Sequence, residues 1–209
     1  EVYITLAGDS LIETLREPST PKLQARLNEL GVQLSEHQAV EINLGLSTWV
    51  EDVAKSLDAG FVVTVDYGDR SEQLYSNEQR PRGTLTTFHQ HLQTDAPLRH
   101  IGEQDITAQV DFSALVRSGR AMGLEPTGFA LQRDFLNNLG LSDLQRRLPP
   151  SRLAEPQVSA NRAGMVDLAR PGSLGDFKVL IQSKNVSEPK LWGFQGGAEA
   201  RDMVAELPI

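Results

Sequence analysis

The 209-residue chain contains no cysteine, which excludes disulfides, thiolate zinc sites and a cysteine nucleophile. It lacks an apolar run of membrane-spanning length, and no basic-then-apolar leader opens it. It also lacks a basic excess. A net charge of -8 and a pI near 5.0 argue against generic nucleic-acid binding and suit either solubility or a basic, arginine- or lysine-bearing protein partner. There is no Gly-x-Gly-x-x-Gly and no Walker lysine motif, and Gly196-Gly197 opens no helix. A loop that cradles a nucleotide-like cofactor is therefore not visible, and the cofactor-binding residues stay unassigned.

With 39% hydrophobic and 23% charged residues, the composition is that of a globular protein, large enough for one big domain or one and a half small ones. The first residue is Glu1, and Val2, Ile4 and Leu6 already alternate as a strand does. The chain thus reads as a piece of a longer protein, beginning inside structure.

Local patterns predict a strand over Val2 to Leu6, a turn, and a returning strand over Leu11 to Leu15. Thr20 and Pro21 open a helix striped by Leu23, Leu27 and Leu30. Gln38 to Leu44 reads as a short strand. Thr48 and Glu51 fit a capping box for a helix burying Trp49, Val50, Val53, Ala54 and Leu57. The run Gly60 to Gly68, Gly-Phe-Val-Val-Thr-Val-Asp-Tyr-Gly, reads as a buried parallel strand. Residues 69–100 show no clear periodicity and read as a long loop. Asp111 then caps a helix closed by Gly123, Leu124 to Leu131 forms a strand, and Phe135, Leu136 and Leu139 a short helix. A weak helical pattern runs to Leu168 and a last strand covers Phe177 to Ile181. Strands alternating with helices predict an α/β fold, with a mainly parallel sheet and helices on both faces. The tail from Ser183 reads as loosely held.

Ligands in such sheets bind beyond the carboxyl ends of strands, which draws attention to Asp66 and Tyr67. Glu41 also follows an apolar segment. Such carboxylates can clamp a planar guanidinium, or can cap helices and pair with loop arginines such as Arg82. Gly8-Asp9-Ser10-Leu11 matches a serine-hydrolase signature, but that family's later Gly-x-Asn-Asp and Asp-x-x-His blocks do not occur, and a serine without a base is not activated. His89 and His91 have the spacing for one side of a strand, near Asp95 and Asp105, yet loop histidines are more often solvated than ligating, and no metal is assigned.

Several segments together resemble the MidA-type S-adenosylmethionine-dependent methyltransferases. They are Glu41-Ile42-Asn43, Phe61 to Gly68, Arg82-Gly83-Thr84-Leu85 with Phe88-His89-Gln90-His91, Gly102 to Phe112, Gln132 to Leu136, and Leu174-Gly175-x-Phe177-Lys178. The resemblance implies the C-terminal part of a Rossmann-like, seven-stranded methyltransferase domain, whose fifth, sixth and seventh strands are the three just described. It implies a hairpin and helix insertion over 1–34, the methyltransferase portion over 35–182 and a tail over 183–209. The methyl donor would be S-adenosyl-L-methionine, its main binding motif lying outside this chain, and the substrate a protein arginine of a respiratory complex I subunit. By the same implication Asp66 and Glu41 are catalytic. Tyr67, Gly68, His91, Asp105 and Thr107 would bind substrate. No nucleic acid or membrane is involved, a homodimer is allowed, and the location is the bacterial cytoplasm, or the mitochondrion in a eukaryote. The alternative is a catalytically incomplete protein-binding module that has lost the cofactor loop.

Overall fold

A computed structural model of the chain describes residues 1–90, 92–147 and 154–195. These residues divide into two compact units. One comprises 1–45 with 71–109, the other 46–70 with 110–209. Residues 35–45 are tied to 71–109, since Ala39 N–H donates to Pro81 O and Gln38 Nε2 to Tyr75 O.

In the first unit, β1 (Val2–Ala7) and β2 (Ser10–Leu15) form an antiparallel hairpin about a turn in which Gly8 takes a left-handed φ. Helix α1 (Lys22–Glu29) follows, with Thr20 Oγ1 accepting from Lys22 N–H. No strand forms over Gln38 to Leu44, where backbone and side chains bond to the turns at Tyr75 and Pro81 instead.

The second unit begins with α2 (Leu46–Lys55). It starts two residues before the expected capping Thr48, and Trp49 faces outward at 50% exposure while Val50 and Ala54 are buried. Next come β3 (Gly60–Asp66) and the short β4 (Gly68–Asp69). The chain then returns to the first unit as α3 (Ser71–Leu74), β5 (Thr86–His89), β6 (Leu92–Thr94) and β7 (Asp105–Thr107). So the expected structureless loop contains a small antiparallel sheet, ordered β6-β5-β7. Its pattern is faint because the strands are three or four residues long and only Thr87 among their side chains is buried, bonded to the Thr94 carbonyl and hydroxyl.

Back in the second unit, β8 (Val110–Asp111) leads into α4 (Phe112–Ala121), where Asp111 Oδ1 accepts from Ala114 N–H at 2.9 Å as the expected N-cap. Then follow β9 (Glu125–Leu131), α5 (Gln132–Asn138), α6 (Leu141–Arg147), α7 (Glu155–Leu168) and β10 (Lys178–Lys184). The three-stranded sheet is ordered β3-β10-β9, and β10 runs antiparallel to both neighbours. The α/β class holds, but the expected parallel ladders do not. β3 and β9 point the same way, as the intervening helix α4 dictates, yet β10 inserts between them in the opposite direction. Nor is β3 buried as expected: its residues alternate between half-buried and exposed, and an apolar run is silent about ladder direction. Among the described residues the one parallel pairing is β4 with β8.

Helices do cover both faces of this sheet. Val50 and Ala54 of α2 and Phe112, Leu115 and Val116 of α4 pack with Phe129 and Leu180 on one side. On the other, Ala130, Val179 and Ile181 meet Phe135 of α5 and Phe194 of the 3-10 turn Trp192–Phe194. Burial of each large side chain contributes roughly 1.5–3 kcal/mol. Phe194 corrects the expected loose tail: through residue 195 the tail is docked, and 196–209 lie outside the described residues.

Within α7, Gly164 has no neighbour within 4 Å of where a Cβ would stand, and its φ is not left-handed. Gly164→Ala should therefore raise stability by about 0.5–1 kcal/mol. In urea this appears as a higher midpoint with unchanged slope, and a lowered midpoint would show that α7 is not a regular helix there.

Candidate active site

The strand end singled out by sequence lies in the second unit. β3 delivers Asp66, half-buried, at its carboxyl end. Asp66 Oδ1 accepts from Tyr67 N–H at 2.8 Å, so the chain turns around its own carboxylate. Tyr67 O accepts from Val110 N–H at 3.0 Å, and Gly68 is buried in the ladder against Val110. The Tyr67 ring meets Phe177 edge-on, with centroids 5.5 Å apart. Asp66, Tyr67 and Gly68 are therefore brought together and held.

Sequence reasoning missed Lys178. It is the cross-strand partner of Asp66 in the β3–β10 ladder, and its ammonium lies 3.6 Å from Asp69 Oδ2 with the side chain only 12% exposed. Its Nζ also lies 3.4 Å from Asp176 O, to which it donates. Lysine is rarely buried unless paired, and a cation opening a strand directly after a Gly-x-Phe turn was the available signal. Asp66, Asp69 and Lys178 sum to one net negative charge, and half-buried Arg70 follows Asp69 directly, its N–H donating to Asp69 Oδ1.

Glu41, the other expected catalytic acid, belongs to the first unit. Its Oε2 accepts from Thr84 N–H at 2.7 Å and from the Thr84 hydroxyl at 2.8 Å. Gly83 adopts φ +76°, and a Cβ there would come within 3 Å of both oxygens and the carbon of the Glu41 carboxyl group. Arg82 is exposed, and the carboxylate is seated on the Gly83-Thr84 backbone.

Asp105 is exposed on β7 and helps line a shallow cavity of about 600 Å³ with Phe88, Gln90, Gly102, Glu103 and Gln104. Thr107, half-buried, faces Thr86 across the ladder. His91 lies outside the described residues. His89 stacks on His100, with centroids 4.0 Å apart, and its Nδ1 is 2.9 Å from Glu103 O. Among the described residues no three His, Asp or Glu side chains gather as metal ligands, and no helix is long and apolar enough to cross a membrane.

An α/β unit thus carries an acid, an aromatic and a glycine at one strand end, and comparison with known proteins adds the family. Residues 1–130 match the model of a family described as "Putative S-adenosyl-L-methionine-dependent methyltransferase", and the chain belongs to that family. Two solved structures from Burkholderia thailandensis are similar. One is an uncharacterized COG1565 superfamily protein, 28% identical with a TM-score of 0.81, the match covering 94% of this chain and 51% of that one. The other is a COG1565 superfamily member described as a "likely methyl transferase" bound to S-adenosyl-homocysteine, 27% identical with a TM-score of 0.80, covering 94% and 50%. The chain thus spans about half the length of these structures and shares their fold. No curated protein matches it.

Proposed function

We propose that the chain forms the substrate-side portion of an S-adenosylmethionine-dependent methyltransferase that modifies a protein arginine, the resemblance pointing to a respiratory complex I subunit. The observation that carries this reading is the single net negative charge of Asp66, Asp69 and Lys178 at the end of β3, which a guanidinium would neutralise. Lys178 occupies Asp69, so Asp66 is the acid left to meet an incoming cation. Tyr67, held against Phe177, would form an aromatic wall beside it. Methyl transfer is an in-line displacement, in which fixing the angle of attack supplies most of the acceleration. The part of these residues is to bind and orient the planar group.

S-adenosylmethionine is the donor that the family implies. The turns into α4 and α5 read Val110-Asp111 and Leu131-Gln132, with no glycine cradle at either helix start. No step is therefore routed through the donor here. That same observation favours a second reading, a protein-binding module that keeps the recognition surface without catalysis.

Calorimetry with S-adenosyl-homocysteine and with an arginine-bearing peptide separates the readings. Peptide binding with weak or no nucleoside binding is expected of this chain. Micromolar binding of S-adenosyl-homocysteine would place a complete cofactor site within it. Indifference to replacing the arginine by norleucine would refute arginine recognition.

A further inference from the structure

The Glu41 carboxylate is held by a relay whose proton positions follow from its geometry. Gln109 N–H lies 3.0 Å from Thr84 Oγ1, and a backbone N–H can only donate. Thr84 Oγ1 is thus an acceptor toward Gln109, and its single proton goes to Glu41 Oε2 at 2.8 Å. The Thr84 amide adds a second donor to the same oxygen. Gln109 is itself anchored, with its Oε1 accepting from Arg80 Nη1 at 2.5 Å. The Gln109 backbone and the Thr84 hydroxyl therefore donate in succession toward the carboxylate, and Arg80 anchors the Gln109 side chain. The two Thr84 donors thus take up both lone pairs of Oε2. Oε1 takes neither of these bonds and lies over Gly83, where only glycine leaves room.

We propose that Thr84 is a positioning residue. Backed by Gln109 and seated beside Gly83, it fixes Glu41 as an anionic acceptor that presents Oε1 to the cationic side chain of a protein substrate. This rests on the arginine reading above. It extends it by giving the first unit a contact of its own with a cationic side chain of the protein substrate and by naming the hydroxyl that aims it. A plain structural latch would predict different behaviour. A latch needs two acceptor lone pairs and no charge, so a glutamine at 41 would serve equally well. A substrate ligand needs the charge, and needs it pointed.

The test is calorimetric binding of an arginine peptide and its norleucine counterpart to the wild-type chain, Glu41→Gln, Thr84→Val and Thr84→Ser, with thermal melting of each. The wild type should prefer arginine. Glu41→Gln should lose about tenfold of that preference with its melting temperature retained, since Gln Oε1 still accepts from Thr84. Thr84→Val, which keeps the shape but removes the hydroxyl, should lose a similar factor, and Thr84→Ser should restore it to within about twofold. If Glu41→Gln retains the preference, Glu41 is a latch and the proposal is overturned while the role of Asp66 stands. If Glu41→Gln loses it but Thr84→Val does not, or if Thr84→Ser fails to rescue, the hydroxyl is not what aims the carboxylate. If the wild type shows no arginine preference, the arginine reading itself falls, and this inference with it.

Discussion

Asp66→Asn is expected to lower kcat/KM for methyl transfer to an arginine peptide by about a hundredfold in the catalytically competent protein, and to weaken peptide binding in the same direction. A charge-assisted hydrogen bond contributes about 1.5–3 kcal/mol, and each 1.4 kcal/mol is a factor of ten. Asparagine isolates the charge. Asp66 Oδ1 accepts from Tyr67 N–H, and the amide oxygen of asparagine accepts the same bond, so the turn after β3 survives. The cross-strand ammonium of Lys178 keeps its partner Asp69, so no buried cation is orphaned by the change. Stability should therefore shift by about 1 kcal/mol or less. A variant that melts like the wild type and turns over within about twofold of it would remove Asp66 from the substrate side. A variant that unfolds would be answered by Asp66→Glu, which keeps the charge and moves it by one methylene. It should recover the fold and only part of the rate.

Much of this strand end was legible because its local chemistry is strong. The run Phe61 to Val65 was legible as a strand, though not its exposed face, and Asp111 carries a capping signal that a tertiary environment did not override. Asp66 was legible for the same reason, as a polar residue terminating an apolar run. Ladder direction was not legible, because β10 lies more than 110 residues from β3 in the chain and nothing local to Gly60–Asp66 specifies what it pairs with. Lys178 was hidden for that reason too: it becomes a site residue only through register with Asp66. The small sheet β6-β5-β7 was hidden by brevity. Strands this short bury too little to impose a period on composition. Trp49 shows the opposite failure. A large aromatic at a helical position was assigned to the core, and the helix turns it outward at the same angle that buries Val50 and Ala54.

The two expected acids also separate on physical grounds. Asp66 is bonded to its own backbone and leaves a carboxylate oxygen uncommitted in that contact, whereas Glu41 has a dedicated pair of donors from Thr84. Sequence alone cannot distinguish these cases, since each is an acid following an apolar segment. The difference lies 43 residues away from Glu41, in a glycine and a threonine that close on it. β3 is an edge strand among the described residues, with Phe61, Val63 and Val65 each more than 40% exposed and no proline, bulge or lysine along it. Natural proteins seldom leave an edge of this kind bare.

Gly68→Ala should destabilise the second unit by about 3 kcal/mol, the largest single-residue effect on stability expected here. Its φ is not left-handed, so the cost is one of space alone. A Cβ at Gly68 would stand less than 3 Å from the carbonyl oxygen, the nitrogen and the carbonyl carbon of Val110. All three are backbone atoms, and no side-chain rotation can relieve them. The chain would have to part β4 from β8, giving up the parallel pairing of Gly68 with Val110 and the bond from Val110 N–H to Tyr67 O. Gly119→Ala is the informative comparison. Its Cβ would instead strike the amide end of Gln182, a side chain that can swing, so the penalty should be smaller even though Gln182 is buried. Because β8 runs directly into α4, parting it from β4 would also loosen the Asp111 cap and release Tyr67 from Phe177. The check is urea unfolding of both variants beside the wild type. Gly68→Ala should show the lower midpoint, and its arginine-peptide affinity should fall at denaturant-free equilibrium, because the group it displaces is the turn that carries Asp66. Equal midpoints for Gly68→Ala and the wild type would mean that β4 and β8 are not in contact, and the geometry assigned to the strand end would be wrong.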